Sequence, residues 1–340
     1  MTNSPDTRLQ ALSEWLHQDL KLDVQDIRPA SSDASFRRYF RAQVGGDCFI
    51  VMDAPPTHED VLPFVKVSNL LRNAGVQTPK IHAQQLEKGF LLLCDFGNRP
   101  YLDSLNDETA DHLYADALES LVRMKRGVDV QSCQLPPYDE SRLRTEMDLF
   151  GEWFLTGLLG RTNSLAEQSV LAKTWQTLLD SALEQTIVCV HRDYHSRNLM
   201  ITDADNPGVL DFQDAVIGPI TYDLVSLLRD CYIAWPAARV DAWVRQYHLR
   251  LTDEGWVGEA SAEQFLRWFD LMGLQRHIKV LGIFSRLSLR DGKAGYLKDI
   301  PRTLNYVVGA CERHPDLAEF LAFLEDGIIQ QTYAKLGQPS

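Results

Sequence analysis

A short polar segment near the middle of the chain constrains the fold more than any other feature. Residues 188–200 read VCVHRDYHSRNLM, and Asp211 follows Asp193 by 18 residues, inside the sequence VLDFQD. That separation leaves room for one hairpin, with a strand at 199–201, a turn rich in Asp, Asn, Pro and Gly, and a return strand. Such a hairpin would place Asn198 and Asp211 side by side.

The polar residues of this segment have the spacing of a phosphoryl-transfer site. In the pattern H-R-D-x-x-x-x-N, the Asp accepts the proton of a substrate hydroxyl and the Asn binds magnesium. A second carboxylate is then needed, because Mg²⁺ takes one or two protein oxygens together with phosphates and water. We therefore interpret Asp193 as the catalytic base and Asn198 and Asp211 as magnesium ligands. ATP is the expected phosphoryl donor.

Composition excludes several other classes of function. The chain has 340 residues, 45% apolar and 24% charged, which is ordinary for a globular protein. Its net charge of −13 works against binding to nucleic acid or to anionic membranes. The polar start carries no signal-peptide pattern, and the six scattered cysteines indicate reduced thiols. We expect a cytoplasmic protein that needs neither a membrane nor an obligate protein partner.

The chain changes character near residue 97. Before that point the pattern predicts a small sheet crossed by one helix, with strands at 35–44, 47–52, 81–86 and 89–94, a helix at 60–73, and a further strand ahead of them. After it the periodicity is helical, notably at 110–124, 142–159 and 164–182. We expect an α+β, protein-kinase-like bilobal fold. Its nucleotide-binding lobe would span residues 1–97 and its helical catalytic and substrate lobe residues 98–340.

These motifs resemble the aminoglycoside phosphotransferase/choline kinase superfamily, which also has a counterpart of the segment 218–224, GPITYDL. Within it the chain is similar to bacterial cell-wall-recycling kinases that phosphorylate the anomeric hydroxyl of N-acetylmuramate and N-acetylglucosamine. The stretches that carry this closer likeness are 32–41, 52–56, 211–215 and 273–282. The resemblance implies a sugar kinase that uses ATP and Mg²⁺, with Asp193, Asn198 and Asp211 in the roles given above.

The resemblance also implies that Asp223 braces the catalytic loop at the start of a helix. We interpret His191 as a second structural brace. Asp95-Phe96-Gly97 spells the metal-binding D-F-G of protein kinases but precedes the catalytic loop. We therefore interpret it as the connection between lobes, where Cys94 and Phe96 would contact the nucleotide.

Two departures from kinase patterns concern the phosphates. The glycine-rich loop is missing, and Ser32 and Ser35 flank its place, where small residues can still offer backbone amides to phosphate. The phosphate-pairing lysine is also missing, because the third strand ends on Met52. Arg38, Arg41 or Lys66 could supply the lost charge, and we expect Arg38 to do so.

The acceptor side is less defined by the sequence. Gln275, Arg276 and Lys279 lie on an otherwise apolar helical segment, with Arg276 and Lys279 on one face. Either that face lines the sugar pocket and meets the carboxylate of N-acetylmuramate, or it is simply solvated. His195, two residues after the expected base, either contacts substrate or decorates the surface.

Two other functions remain open at this point. A kinase for a cationic substrate, such as an aminoglycoside or choline, is compatible with the acidic net charge, although Arg276 and Lys279 argue against it. A catalytically silent nucleotide-binding regulator would explain the missing lysine and glycines. The complete set of Asp193, Asn198 and Asp211 argues against a regulator, which has no use for all three.

Overall fold

The computed structural model describes residues 6–32 and 36–338. Its first region is a sheet preceded by one helix and interrupted by another. The elements are α1 (Thr7–Glu14), β1 (Val24–Ser32), β2 (Arg38–Val44), β3 (Asp47–Asp53), α2 (Leu62–Asn73), β4 (Ile81–Gln85) and β5 (Phe90–Cys94). A π-helical turn, Trp15–Asp19, continues α1. The five strands are antiparallel in the order β1-β2-β3-β5-β4.

Both predicted hairpins of this sheet are confirmed. β2 pairs with β3 around Gly45 and Gly46, whose φ angles are +56° and +99°. These positive φ values are the reason that a Gly-Gly pair suits the turn, since other L-residues are strained there. β4 pairs with β5 in the second hairpin. The predicted helix between the hairpins is also present, as α2.

The two faces of this sheet have different neighbours. Phe40, Val51 and Phe90 lie on the outer face and form a small core with Leu12 and Trp15 of the N-terminal helical segment. Strand side chains alternate between faces. The other face, which includes Met52, Leu91 and Leu93, packs into the main core. Odd-numbered residues of β2 therefore face the interior of the molecule, and even-numbered ones face α1.

The second region is mainly helical. Its elements are α3 (Tyr101–Ser104), α4 (Ala110–Gly127), α5 (Glu140–Leu149), α6 (Leu165–Leu183), β6 (Ile187–Val190), β7 (Leu199–Met200), β8 (Gly208–Val209), β9 (Val216–Pro219), α7 (Tyr222–Leu228), α8 (Ala237–Asp253), α9 (Ala262–Leu289), α10 (Ile300–Arg313), α11 (Ala318–Glu325) and α12 (Ile328–Leu336). The helix predicted at 142–159 changes type within its length, because α5 continues into the π-helical segment Phe150–Leu158. The α+β fold class is confirmed.

Short strands hold the polar loop that the sequence singled out. β6 pairs with β9, and β7 pairs with β8 in the register Leu199–Val209 and Met200–Gly208. The hairpin predicted between Asn198 and Asp211 is therefore confirmed. It places the end of the loop and the start of the following acidic segment next to each other.

Helix α9 runs through the middle of the helical region. It packs against α5, α6, α7, α8 and α10 and against the π-helical segment. Almost every residue from Trp268 to Gly282 is buried, including Arg276 and Lys279 at 5% and 6% exposure. The solvated-face interpretation of these two cations is therefore wrong, because α9 has no solvent-facing side along this stretch.

Within the described residues, no helix is both long enough and apolar enough to span a bilayer.

Close packing of α9 against the chain around Leu149 depends on Gly282. A Cβ at this position would lie 2.5 Å from the carbonyl carbon of Leu149. We expect Gly282→Ala to lower the free energy of unfolding by about 1–3 kcal/mol, the usual range for overpacking. Urea denaturation would measure it. Gly309→Ala is the matched control, since a Cβ there meets nothing within 4 Å. Equal stability of the two variants would contradict this account of α9.

Candidate active site

The loop between β6 and β7 is fixed at its start by one buried carboxylate. Asp223, in the first turn of α7, accepts hydrogen bonds from the backbone N–H groups of His191 (2.7 Å) and Arg192 (3.0 Å). Arg192 has a φ of +80°, an unusual value for a residue with a side chain. The two hydrogen bonds to the Asp223 carboxyl group stabilise this conformation. Asp223 is therefore placed to brace the start of the catalytic loop.

His191 ties the same loop to the segment that carries Asp211. Its Nε2 lies 3.0 Å from the carbonyl oxygen of Leu210, and its Nδ1 accepts the backbone N–H of Asp193 at 3.3 Å. One neutral tautomer, with the proton on Nε2, satisfies both contacts. Because both ring nitrogens are used within the protein, His191 is placed to position the loop.

Asp193 projects into the cleft with its side chain 40% exposed. Nη2 of Arg276 lies 3.6 Å from its Oδ1. Removal from water raises the pKa of Asp193, but Arg276 and Lys279 outweigh that effect and hold the pKa well below its ordinary value. Asp193 is therefore ionised at neutral pH and can accept a hydrogen bond from a hydroxyl group.

Asn198 and Asp211 lie next to each other, as the hairpin requires. Nδ2 of Asn198 lies 3.0 Å from the carbonyl oxygen of Asp193 and 3.4 Å from Oδ2 of Asp211. Gln213 donates from Nε2 to Oδ1 of Asp211 at 2.8 Å. The side chains of Asn198 and Asp211 and the backbone of Asp193 thus form one hydrogen-bonded group.

The donor atoms of this group fit magnesium. Asn198 and Asp211 supply an amide oxygen and a carboxylate, which are hard ligands of the kind that Mg²⁺ prefers. No cluster of three or more His, Cys, Asp or Glu side chains suited to a metal occurs in residues 6–32 and 36–338. Two protein oxygens completed by phosphates and water suit Mg²⁺ better than they suit a metal that needs an all-protein cage.

A cleft of about 980 Å³ contains these groups. One wall comes from the sheet and the connection after it, and the other comes from the catalytic loop, the Asp211 segment and α9. The lining includes Tyr39, Ile50, Leu93, Cys94, Phe96, Asp193, His195, Arg197, Asn198, Met200, Leu210, Asp211, Arg276 and Lys279. An apolar slot thus lies beside the sheet, and a more charged compartment lies beside α9.

Cys94 and Phe96 line the cleft where the sheet connects to the helical region. Asp95, between them, is held by Arg41, with 3.0 Å from Nη2 to Oδ1. The Phe96 ring packs so closely on Gly208 that a Cβ there would lie 2.6 Å away. Because its carboxylate is engaged by the sheet, Asp95 is placed as part of this connection. The nucleotide contacts of Cys94 and Phe96 stay predictions.

Arg38 does not face the cleft. It lies on the outer face of β2, where its guanidinium bonds Asp53 (Nε to Oδ2, 3.0 Å) and Asp6 (Nη2 to Oδ1, 3.3 Å) and covers the Phe40 ring. The expectation that Arg38 meets the phosphates therefore needs correction. The reason is strand alternation, because Arg38 shares the face of Phe40 and Ala42.

The other residues expected near the phosphates are spread more widely. Ser32 ends β1, and Ser35 lies outside the described residues. Arg41 lines the cleft but is engaged with Asp95. Lys66 donates from Nζ to the carbonyl oxygen of Gln134 at 2.7 Å. Of the described side chains in this set, Arg41 lines the cleft, whereas Lys66 does not appear in its lining.

Arg37 is the cation that the sequence analysis missed. Its Nη2 lies 3.7 Å from Oδ1 of Asp211, and its side chain is only 11% exposed. It thus reaches from the start of β2 to one of the predicted magnesium ligands. The alternation of apolar residues along β2 could have indicated this, since it turns Arg38 outward and leaves its neighbour to face the opposite way.

The polar residues of α9 are not equivalent. Arg276 and Lys279 line the cleft. Gln275 is buried but does not line the cleft, and its amide group has no hydrogen-bond partner among the described residues. Arg276 donates to the carbonyl oxygen of Arg192 at 2.7 Å and to Tyr222 Oη at 3.1 Å. Lys279 donates to the same Tyr222 hydroxyl at 3.1 Å. Both cations thus make hydrogen bonds to other groups of the protein.

Glu146 of α5 completes this buried cluster and was not predicted from the sequence. It pairs with Arg192 and, at 3.1 Å, with Lys279, and it accepts a hydrogen bond from Tyr138. Burial raises the pKa of Glu146, but Lys279 and Arg192 lower it by more than burial raises it. The carboxylate is therefore ionised at neutral pH. No local pattern indicated this residue, because its cationic partners, Arg192 and Lys279, lie far away in sequence.

His195 lies in the lining of the cleft, with its ring edge-on to Tyr232 at 5.3 Å between centroids. Its Nδ1 is buried and has no hydrogen-bond partner among the described residues. Burial lowers the pKa of His195, which favours the neutral ring at pH 7. A substrate contact by His195 stays a prediction.

Comparison with known proteins gives the same fold and family. The phosphotransferase enzyme family model matches residues 26–260. Two curated relatives named N-acetylmuramate/N-acetylglucosamine kinase come from Pseudomonas putida, 47% identical over 92% of this chain and 95% of the relative, and from Pseudomonas aeruginosa, 48% identical over 95% and 99%. Among solved structures, the GDP complex of aminoglycoside 2'-phosphotransferase-IIIa has a TM-score of 0.61 and 16% identity, covering 93% of this chain and all of that one.

The structural likeness confirms the kinase-like bilobal fold, and the family match extends over the sheet, the catalytic loop and the start of the helical region that follows. The chain belongs to the phosphotransferase enzyme family.

Proposed function

We propose that this protein is a cytoplasmic kinase that transfers the γ-phosphate of ATP to the anomeric hydroxyl of N-acetylmuramate or N-acetylglucosamine. The observation that carries the proposal is the cleft itself, where an ionised, accessible Asp193 lies beside Asn198 and Asp211. The names of relatives at 47% and 48% identity support the choice of sugar.

The mechanism follows from the charges around Asp193. Its carboxylate accepts a hydrogen bond from the acceptor hydroxyl and aligns it for in-line attack on the γ-phosphorus. The low pKa of Asp193 makes it a weak base, so the proton moves to its Oδ late, after the hydroxyl oxygen has begun to bond phosphorus. An anomeric hydroxyl suits such a base because it is more acidic than an ordinary alcohol.

Asn198 and Asp211 would hold Mg²⁺, which supplies neutralisation of phosphate charge when bound. The nucleotide would occupy the apolar slot between the proposed lobes 1–97 and 98–340. Ile50, Leu93 and Phe96 line that slot from one side, and Met200 and Leu210 line it from the other. Aromatic and aliphatic walls of this kind suit a flat purine ring.

Arg37 is our candidate for the missing phosphate-pairing lysine. The inward positions of β3 are apolar, Arg38 faces outward, and Arg41 is engaged by Asp95. Arg37 is the arginine of this strand region that reaches a proposed magnesium ligand. Its guanidinium can pair bidentately with phosphate oxygens.

The cations of the cleft argue against an aminoglycoside or choline as acceptor. Arg192, Arg197, Arg276 and Lys279 line the same compartment as Asp193. Arg192, Arg276 and Lys279 have carboxylate partners, so the repulsion comes mainly from Arg197, whose exposed guanidinium would disfavour a cationic acceptor more than a neutral or acidic sugar. A turnover assay distinguishes a kinase from a silent regulator, because a regulator can bind nucleotide without consuming it.

The first prediction concerns the reaction. In a coupled assay of ADP release with Mg-ATP, we expect turnover with N-acetylmuramate and N-acetylglucosamine and none with kanamycin or choline. Asp193→Asn should lower kcat by about 10²–10⁴, the usual contribution of a general base. The substitution keeps the side-chain size, so unchanged nucleotide binding by calorimetry would show that the cleft is intact. Turnover with kanamycin or choline alone would contradict the sugar assignment.

The second prediction uses two neighbouring arginines with opposite orientations. We expect Arg37→Met to weaken Mg-ATP binding, measured by calorimetry, by about tenfold, which corresponds to about 1.4 kcal/mol. Arg38→Met is the control: it should leave Mg-ATP binding unchanged and lower the melting temperature, since it leaves the buried Asp53 with one cation fewer. The reverse result would restore Arg38 as the phosphate ligand.

The third prediction concerns pH. Arg276 lowers the pKa of Asp193, so Arg276→Met should raise that pKa toward the ordinary value for Asp, about 3.9. Asp193 works only when ionised. The kcat/KM of the variant should therefore fall at a higher pH than that of the unaltered protein as the solution is acidified. Arg276→Lys keeps the charge and should shift the profile less. Identical acid limbs in all three proteins would refute a role for Arg276 in setting this pKa.

A further inference from the structure

We propose that Arg197 binds the carboxylate of N-acetylmuramate and contributes little to the binding of N-acetylglucosamine. This inference rests on the proposed function. Arg197 lies in the catalytic loop, four residues after Asp193 and directly before Asn198, and it lines the cleft. Any group that it binds therefore lies in the same cleft as Asp193.

The guanidinium of Arg197 stacks on the Tyr232 ring, and the N–H groups at its edge have no partner among the described residues. Its central carbon lies 3.6 Å from the centroid of the Tyr232 ring, so one face of the guanidinium is stacked. The side chain is exposed, and within residues 6–32 and 36–338 no hydrogen bond or ion pair engages its nitrogens. Stacking occupies the face of a guanidinium, whereas a carboxylate binds two N–H groups at its edge. Both interactions can be made at once.

Asp230 fixes both sides of this stack. This buried carboxylate accepts the backbone N–H of Ser196 at 2.9 Å and the backbone N–H of Tyr232 at 3.0 Å. Ser196 directly precedes Arg197, so one side chain holds the backbone on each side of the stacked pair. Arg197 therefore has a defined position before any ligand arrives, which reduces the entropy lost on binding.

The other cations of the compartment already have carboxylate partners. Arg192 and Lys279 pair with Glu146, and Arg276 lies 3.6 Å from Asp193. Their side chains are 19%, 7% and 6% exposed. A substrate carboxylate would have to displace these buried contacts, which is costly because the remaining partner would be left unpaired.

Asp299 is an acidic residue near Arg197, and it would compete only weakly with a substrate carboxylate. Asp299 is close enough for Arg197 to lower its pKa, although burial is the larger influence and raises it. The two side chains form no ion pair within 4 Å, and the nearer cation to Asp299 is Arg302 at 3.6 Å. The edge of Arg197 thus remains available to a ligand.

Exposure of Arg197 also explains how one pocket can accept two sugars. The two sugars differ in that N-acetylmuramate carries a lactyl ether ending in a carboxylate, where N-acetylglucosamine has a hydroxyl. A buried cation would be left unpaired by the neutral sugar and would discriminate strongly against it. An exposed cation stays hydrated and stacked when the carboxylate is absent. Arg197 therefore adds affinity for the acidic sugar without a penalty for the neutral one.

The test compares the two sugars in the same variant. We expect Arg197→Met to raise KM for N-acetylmuramate about tenfold with little change in kcat, since a bidentate carboxylate contact is lost. KM for N-acetylglucosamine should change less than about twofold. Arg197→Lys keeps the charge but not the fork and should give an intermediate KM for N-acetylmuramate. Arg144→Met removes a half-buried arginine of α5 that does not line the cleft, so it should leave KM unchanged for both sugars.

Chemistry on the substrate provides the complementary half of the test. The methyl ester of N-acetylmuramate keeps the lactyl group but loses the charge, so its KM should be insensitive to Arg197→Met. Equal losses for both sugars, or an equal loss for acid and ester, would overturn the proposal and leave Arg197 as a loop-positioning residue. Absence of turnover with either sugar in the unaltered protein would instead overturn the proposed function on which this inference rests.

Discussion

The candidate site depends on the buried carboxylate of Asp223. It accepts the two backbone N–H groups that begin the catalytic loop, and it lies in the first turn of α7, where negative charge is favoured. Burial raises the pKa of Asp223, while the backbone hydrogen bonds, His191 and the buried Lys125 act in the opposite direction. From this fixed start the chain can present Asp193 to the cleft and Asn198 to Asp211.

A second constraint comes from the far side of the loop. Helix α9 brings Arg276 and Lys279 through the core to the floor of the cleft, and Glu146 of α5 balances part of their charge. Buried cations are tolerated here because each has a carboxylate or carbonyl partner. The arrangement keeps Asp193 ionised. It also places positive charge around the acceptor, which matches a sugar that carries a carboxylate better than one that carries ammonium groups.

Local spacing made much of this predictable from the sequence. The hairpin between Asn198 and Asp211 and the two sheet hairpins follow from short-range patterns, and all three are present. The orientation of Arg38 was missed because two adjacent strand residues face opposite sides, and the apolar positions Phe40 and Ala42, which mark the face that α1 covers, were not used to assign the sides. Glu146 was missed for another reason. Its partners, Arg192 and Lys279, are distant in sequence, so no pattern within α5 marks it.

The most direct test of the central claim is the position of the phosphate on the product. Phosphorus NMR of N-acetylmuramate after incubation with Mg-ATP would report it. We predict a sugar 1-phosphate, whose phosphorus signal is split into a doublet by the single anomeric proton, and no such signal with Asp193→Asn. A signal coupled to two methylene protons would mean transfer to the primary hydroxyl, and this would contradict the anomeric assignment and the reasoning from a weak base at Asp193.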